Sequence, residues 1–155
     1  MNNKEFCYVM VKPMFANNEA NINYVKGRLL ALGMEILDEG YILYDNEFSA
    51  KHYAEHVNKP FYPELRDYIT SDKAYGIVVE GINARAKIRS VVGSTKAPEE
   101  GSIRFEILKK YPYLPAEQRI TKNGVHCTDT ETDPLREIRI FKELRNIELS
   151  KQNSI

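Results

Sequence analysis

Two runs in this chain are too uniformly apolar to tolerate a wet face. Phe6-Cys7-Tyr8-Val9-Met10-Val11 ends at Lys12-Pro13, and Tyr75-Gly76-Ile77-Val78-Val79 ends at Glu80. A strand with one solvated face alternates apolar with polar, whereas an unbroken β-rich run is covered on both sides. Each run therefore reads as a central strand, and the chain has to supply helices for both faces of one sheet.

It supplies them. Residues 21–32 set Ile22, Val25, Leu29 and Leu32 on one helical face, leave Lys26 and Arg28 outside, and stop at Gly33. Ser49 to Val57 and Phe61 to Thr70 read as short helices split by Pro60, and Asn83 to Val92 as a helix ending at Gly93. Asp133-Pro134 is a cap followed by a proline, after which Leu135, Ile138, Phe141 and Leu144 give a last helix its apolar face. Met34 to Tyr44 reads as one long strand or a bent pair, and residues 123–128 as a short strand.

The order is β-α-β-(αα)-β-α-β-α. That is the ferredoxin-like split βαβ pattern, an α/β sandwich whose four-stranded antiparallel sheet carries packed helices. This topology puts the first and third strands in the middle, which are the two apolar runs. The length of 155 residues suits one domain over 1–155, and no repeat or linker divides it. Residues 108–122 show no periodicity and read as a lengthened loop, a feature that is usually functional or mobile. The polar tail 150–155 is expected to fray.

Composition excludes several classes. With 22 basic and 22 acidic residues the formal net charge is zero, so no specific nucleic-acid partner is expected. No stretch is long enough to span a bilayer, and the start of the chain lacks a leader pattern, so no membrane partner is expected. The two cysteines, Cys7 and Cys127, have no metal-like spacing and require no disulfide, which points to a reducing, cytoplasmic setting.

The chemistry concentrates in Lys122-Asn123-Gly124-Val125-His126-Cys127-Thr128-Asp129. A neutral, oriented imidazole among cations is a good phosphoryl acceptor, and Lys12, Arg89 and Arg104 are the candidate cations. Lys12 emerges at a sheet end, Arg89 lies near a helix terminus, and Arg104 follows Gly101-Ser102-Ile103 at what reads as a loop-to-strand junction. Arginine binds two phosphate oxygens at once. Each of these residues alone is equally well a surface charge, and a lone histidine a structural hydrogen bonder. Glu137, one turn inside the last helix, either orients the imidazole or serves the helix N-terminus. A Cys127–His126 nucleophile pair is disfavoured because adjacent strand residues point to opposite faces. His52-Tyr53-Ala54-Glu55-His56 fits a zinc-peptidase string, but five-residue patterns arise by chance, and the bland reading is an amphipathic helix with exposed histidines.

Taken in order, these strings resemble the nucleoside diphosphate kinases. The resemblance rests on Tyr8-Val9-Met10-Val11-Lys12-Pro13, His52 through His56 with Lys59-Pro60-Phe61-Tyr62-Pro63, Val79-Glu80-Gly81 with Asn83, and Arg89 through Gly93 to Thr95. Gly101-Ser102-Ile103-Arg104, Asn123-Gly124-Val125-His126 and Arg136-Glu137-Ile138 complete it, from about Phe6 to about Phe141. It explains the zinc string away, and no protein-held metal is expected.

The resemblance implies a ping-pong transfer. A nucleoside triphosphate gives its γ-phosphoryl to His126 and a nucleoside diphosphate collects it. Arg89, Arg104 and Thr95 would hold phosphates, Lys12 phosphate and sugar, Tyr53 the phosphate end, and Asn123 the sugar hydroxyls. Phe61 would stack on the base with Leu65 beside it, giving broad base tolerance. Glu137, helped by Thr128, would fix the imidazole. Mg²⁺ would arrive mainly on the nucleotide phosphates, and family members are homo-oligomers, hexamers or tetramers built from dimers. This chain departs from the family in having Met14-Phe15 where Asp-Gly is usual and Phe105-Glu106 where Gly-Asp is usual. Cys127-Thr128 replace a small residue and a serine, and the stretch from Arg104 to Asn123 is longer. A second reading is a non-catalytic nucleotide-binding regulatory or scaffold domain on the same fold.

Overall fold

The computed structural model describes residues 3–153. Strand β1 (Lys4–Val11) pairs antiparallel with β3 (Ala74–Ile82) along its whole length, Cys7 opposite Val79. Strand β2 (Glu35–Ile42) flanks β3, and β4 (Val125–Cys127) flanks β1, so the sheet order is β2-β3-β1-β4. Both apolar runs occupy the centre, as the sequence predicts.

β1 shows why. From Cys7 to Val11 every residue is fully buried. Cys7, Val9 and Val11 enter one core, beneath α1 (Glu19–Ala31), α4 (Ala84–Val92) and α5 (Ile103–Leu108). Tyr8 and Met10 enter the other, beneath α2 (Asn46–His52), α3 (Tyr62–Ile69) and α6 (Pro134–Asn153). A one-residue slip would exchange the two sets, each large side chain carrying roughly 1.5–3 kcal/mol of burial. Gly76 on β3 sits where a Cβ would lie 2.4 Å from the Phe141 ring, and its bare backbone lets α6 lie down on the sheet.

Four expectations need correction. Arg104 does not lead into a strand: residues 103–108 form α5, because Ser102 caps it by accepting from the Phe105 N–H at 3.2 Å and Ile103 and Ile107 then share a buried face. Leu135 is 37 % exposed, since the first turn of α6 overhangs the sheet and the buried stripe starts with Glu137 and Ile138. The helix expected from Ser49 begins at Asn46, capped by Asp45, and breaks at Tyr53 into a 3-10 turn over Ala54–His56. β2 is one strand with a register irregularity between Ile36 and Asp38. α6 continues through residues 150–153, and residues 154–155 lie outside the described part.

The 109–122 stretch is irregular apart from a 3-10 turn at Ala116–Gln118. It is nonetheless tied down. The Arg119 guanidinium donates to the carbonyls of Leu114 and Tyr111, and Leu114 is buried.

Candidate active site

β4 has three residues, and their alternation decides the site. Val125 and Cys127 point into the core beneath α1 and α4, so His126 emerges on the opposite face, toward α6. Its register is fixed by pairing with Met10 on the fully buried β1.

On that face α6 presents Glu137, which is 3 % exposed. One carboxylate oxygen meets His126 Nε2 at 3.0 Å and the other accepts from the Thr128 hydroxyl at 2.8 Å. The Thr128 oxygen in turn accepts from the Tyr8 N–H at 2.9 Å. Burial alone would raise the Glu137 pKa, but His126 beside it, the bond to His126, His52 and the Thr128 hydroxyl outweigh that and hold it down at about 2. The group facing this carboxylate on His126 is therefore an N–H, and among the described residues Nδ1 makes no hydrogen bond. A carboxylate serving only the helix end would sit in water, so the orienting role expected of Glu137 fits its burial better.

A cleft of about 300 Å³ opens in front of the imidazole. It gathers Tyr53, Arg89, Thr95, Arg104, His126 and Glu137, six of the expected residues from four separated parts of the chain. Arg89 extends from the last turn of α4, more than half exposed, with Asp129 at 3.9 Å. Arg104 is more committed. It donates to the carbonyls of Gly93 at 2.6 Å and Val125 at 2.8 Å, which leaves three of its five N–H groups for an anion. Gly93 makes that approach possible: its φ is +94°, and a Cβ there would lie 2.6 Å from Ser102 Oγ. Tyr53 is buried and its hydroxyl has no partner among the described residues.

Besides Thr128, which is fully buried behind Glu137, four expected residues do not line this cleft. Lys12 is 6 % exposed and donates to the Thr121 carbonyl at 3.3 Å. Desolvation, then the nearby Arg104, pull its pKa down to about 7, against a smaller opposing pull from Cys127. Asn123 is buried, donates to the Ile120 carbonyl at 2.9 Å, and leaves Oδ1 without a partner. Phe61 is half exposed and stands beside the His56 ring at 5.4 Å, next to the cleft. Leu65 is buried in the core beneath α3, with little surface left for a base.

The sequence reading missed His52. It is 2 % exposed rather than a surface histidine, and its ring centroid lies 4.8 Å from that of His126. The available signal was that Phe48 and Ser49 lie four and three residues before His52, on the same helix face. His52, His126 and Glu137 bring potential ligand atoms within 4.8 Å of one another, but the carboxylate oxygens are engaged by His126 and Thr128. Glu55 of the zinc-like string pairs instead with Arg136.

Split βαβ topology thus carries an imidazole backed by a buried carboxylate and facing two arginines, an arrangement with the chemistry to accept an anionic group. Comparison with known proteins sharpens it. The sequence profile described as nucleoside diphosphate kinase matches residues 5–147. The nucleoside diphosphate kinase of Archaeoglobus fulgidus is 35 % identical over 139 residues, covering 88 % of this chain and 85 % of the relative. That of Natronomonas pharaonis is 33 % identical over 144 residues, covering 91 % and 88 %. The solved halophilic enzyme from Halobacterium salinarum, in complex with CDP, superposes with a TM-score of 0.74 at 30 % identity, covering 89 % of this chain and 87 % of its own. The chain belongs to the nucleoside diphosphate kinase family. No helix among the described residues is long and apolar enough to cross a membrane.

Proposed function

We propose that this enzyme moves the γ-phosphoryl of a nucleoside triphosphate to a nucleoside diphosphate in two half-reactions through a phosphohistidine on His126. The observation that carries the reading is the 3.0 Å contact between His126 Nε2 and buried Glu137, which leaves Nδ1 as the nitrogen with a free lone pair. Nδ1 attacks the γ-phosphorus, an N–P bond forms, and the bond from that phosphorus to the β,γ-bridging oxygen breaks, releasing the diphosphate. The ring gains positive charge, and the Glu137 carboxylate stabilises it through Nε2–H. A terminal oxygen of a second diphosphate then attacks the phosphorus and the N–P bond breaks. Arg89, Arg104 and Thr95 position the phosphates, which is most of what such a transfer needs.

Lys12 and Asn123 meet the sugar end once a nucleotide replaces the Thr121 and Ile120 carbonyls as their partners. Phe61 stacks on the base, its half-exposed ring suiting any base, with Leu65 beneath. Mg²⁺ comes as part of the nucleotide. Near Arg89 the carboxylate at hand is the exposed Asp129, a sparse donor set that suits an ion carried on phosphate oxygens. Free, buried Cys7 and Cys127 fit a reducing cytoplasm. Exposed Leu37 on edge strand β2, with Leu43 just beyond it, fits a homo-oligomer built from dimers, which sedimentation would test.

The test is incubation with γ-labelled ATP. Acid-labile, base-stable label is expected on the wild type and absent from His126→Ala, while ADP still binds the variant. Label that persists in the variant at His52 or His56 would remove the assignment.

A further inference from the structure

His52 has no role in the reaction as written, yet it is the most deliberately surrounded side chain in the molecule. It is 2 % exposed, at the end of α2. Its Nδ1 lies 3.0 Å from the Tyr44 hydroxyl. Its Nε2 lies 3.6 Å from Glu137 Oε2, the same oxygen that holds His126, which is longer than a hydrogen bond, and it makes no hydrogen bond among the described residues. The groups facing the ring come from every neighbouring element. They are Tyr44 before α2, Tyr53 after it at a centroid distance of 4.5 Å, Tyr8 from β1, His126 from β4 and Glu137 from α6. Arg136 and Lys12 act on it at longer range.

The tautomer follows from this setting. Desolvation first, then His126, push the His52 pKa down to about 3 despite Glu137, so the ring is neutral. A neutral imidazole places its one proton toward the carboxylate, because a lone pair there would repel it. Nδ1 is then the acceptor, and the Tyr44 hydroxyl is the donor that suits it.

We propose that His52 is a positioning residue for phosphoryl transfer: a buried imidazole whose Nε2–H, 3.6 Å from Glu137 Oε2, biases the carboxylate that His126 and Thr128 hold toward the orientation that keeps His126 in place. The inference rests on the phosphohistidine reading above. His126 and Thr128 occupy the two oxygens, and the His52 N–H dipole adds a longer attraction on the oxygen that His126 uses. That attraction keeps Glu137 a weaker base, so it stabilises the His126 ring without stripping the Nε2 proton. Tyr44 extends the chain by fixing the His52 tautomer.

The experiment is single-turnover phosphorylation by γ-labelled ATP across pH, with ADP affinity and melting temperature as controls. His52→Gln keeps an amide N–H near the place of Nε2, and His52→Leu removes it. The Leu variant is expected to transfer about threefold more slowly with ADP affinity unchanged, the scale of one lost polar contact longer than a hydrogen bond. Its acid limb should move to higher pH as Glu137 becomes more basic. The Gln variant should recover most of the rate and keep the wild-type limb. Tyr44→Phe, a milder change, should slow transfer in the same direction by a smaller factor. Equal losses in Gln and Leu, a Leu variant at the wild-type rate, or unchanged transfer in Tyr44→Phe each overturn the proposal. Wild type that takes no label at all overturns the phosphohistidine reading beneath it, a failure distinct from the other three.

Discussion

Phe15 and Tyr111 meet edge to face, with ring centroids 4.9 Å apart at 75°. Phe15 follows the end of β1, and Tyr111 belongs to the irregular stretch before Asn123. The two segments are one structure. Buried Asn21 joins them again, donating to the Phe15 carbonyl at 3.0 Å and to the Tyr111 hydroxyl at 2.9 Å. The loop is anchored on the Phe15 ring beyond the end of β1.

Their coupling is measurable. Phe15→Leu and Tyr111→Leu, singly and together, should show a coupling energy of about 0.5–1.5 kcal/mol in urea unfolding. Strict additivity would mean that loop and ring are neighbours without consequence.

Glu137→Gln separates orientation from helix capping. The amide keeps the shape but loses the charge that steadies the His126 ring, so single-turnover transfer should slow far more than ADP binding weakens. Acid unfolding gives a second reading. The folded pKa of about 2 lies below the usual carboxylate value, so Glu137 stabilises the fold above the unfolded pKa of ~4.3 and loses that contribution as pH falls toward 2. The stability gap between wild type and variant should close over that window. A gap that stays constant from pH 6 to pH 2 would rule the linkage out.

Lys12 should make nucleotide binding take up a proton. Its folded pKa of about 7 lies below the ordinary lysine value of ~10.4, so at pH 8 much of it is neutral. A phosphate beside it restores the charge. Calorimetric titration with ADP at pH 8, in buffers of different ionisation enthalpy, should report proton uptake that Lys12→Met abolishes. The same shift makes stability rise with pH between about 7 and 10, where the unfolded chain holds the extra proton.

Phe61→Ala should weaken adenine, guanine, cytosine and uracil diphosphates alike, by roughly 1–3 kcal/mol each. Competition binding with all four settles it. A loss confined to one base would mean that base edges are read by residues elsewhere.

What was legible in the sequence was whatever repeats. The unbroken runs Phe6–Val11 and Tyr75–Val79 announced a sheet covered on both faces, and Asp133-Pro134 announced α6. Single polar residues in the interior leave no such trace. His52 looked like half of a zinc string because nothing local says that Tyr44 and Glu137, far apart in the chain, close around it. Arg104 looked like a strand leader because Gly101-Ser102 reads as a turn, and the short α5 is held chiefly by the Ser102 cap and two buried isoleucines. The resemblance grouped His126 with Lys12, Arg89 and Arg104; the cleft brings the two arginines to it, while the Thr121 carbonyl that holds Lys12 has no trace in the sequence.

β4 is paired to β1 through three residues, with Met10 opposite His126. Whatever path the chain takes after α5, it must rejoin at that pair, and the imidazole's position is reset there. The length of the preceding loop is thus an independent variable. The same freedom recommends the exposed Tyr113 tip as a graft point for foreign peptides, where new sequence would leave the seat of His126 undisturbed.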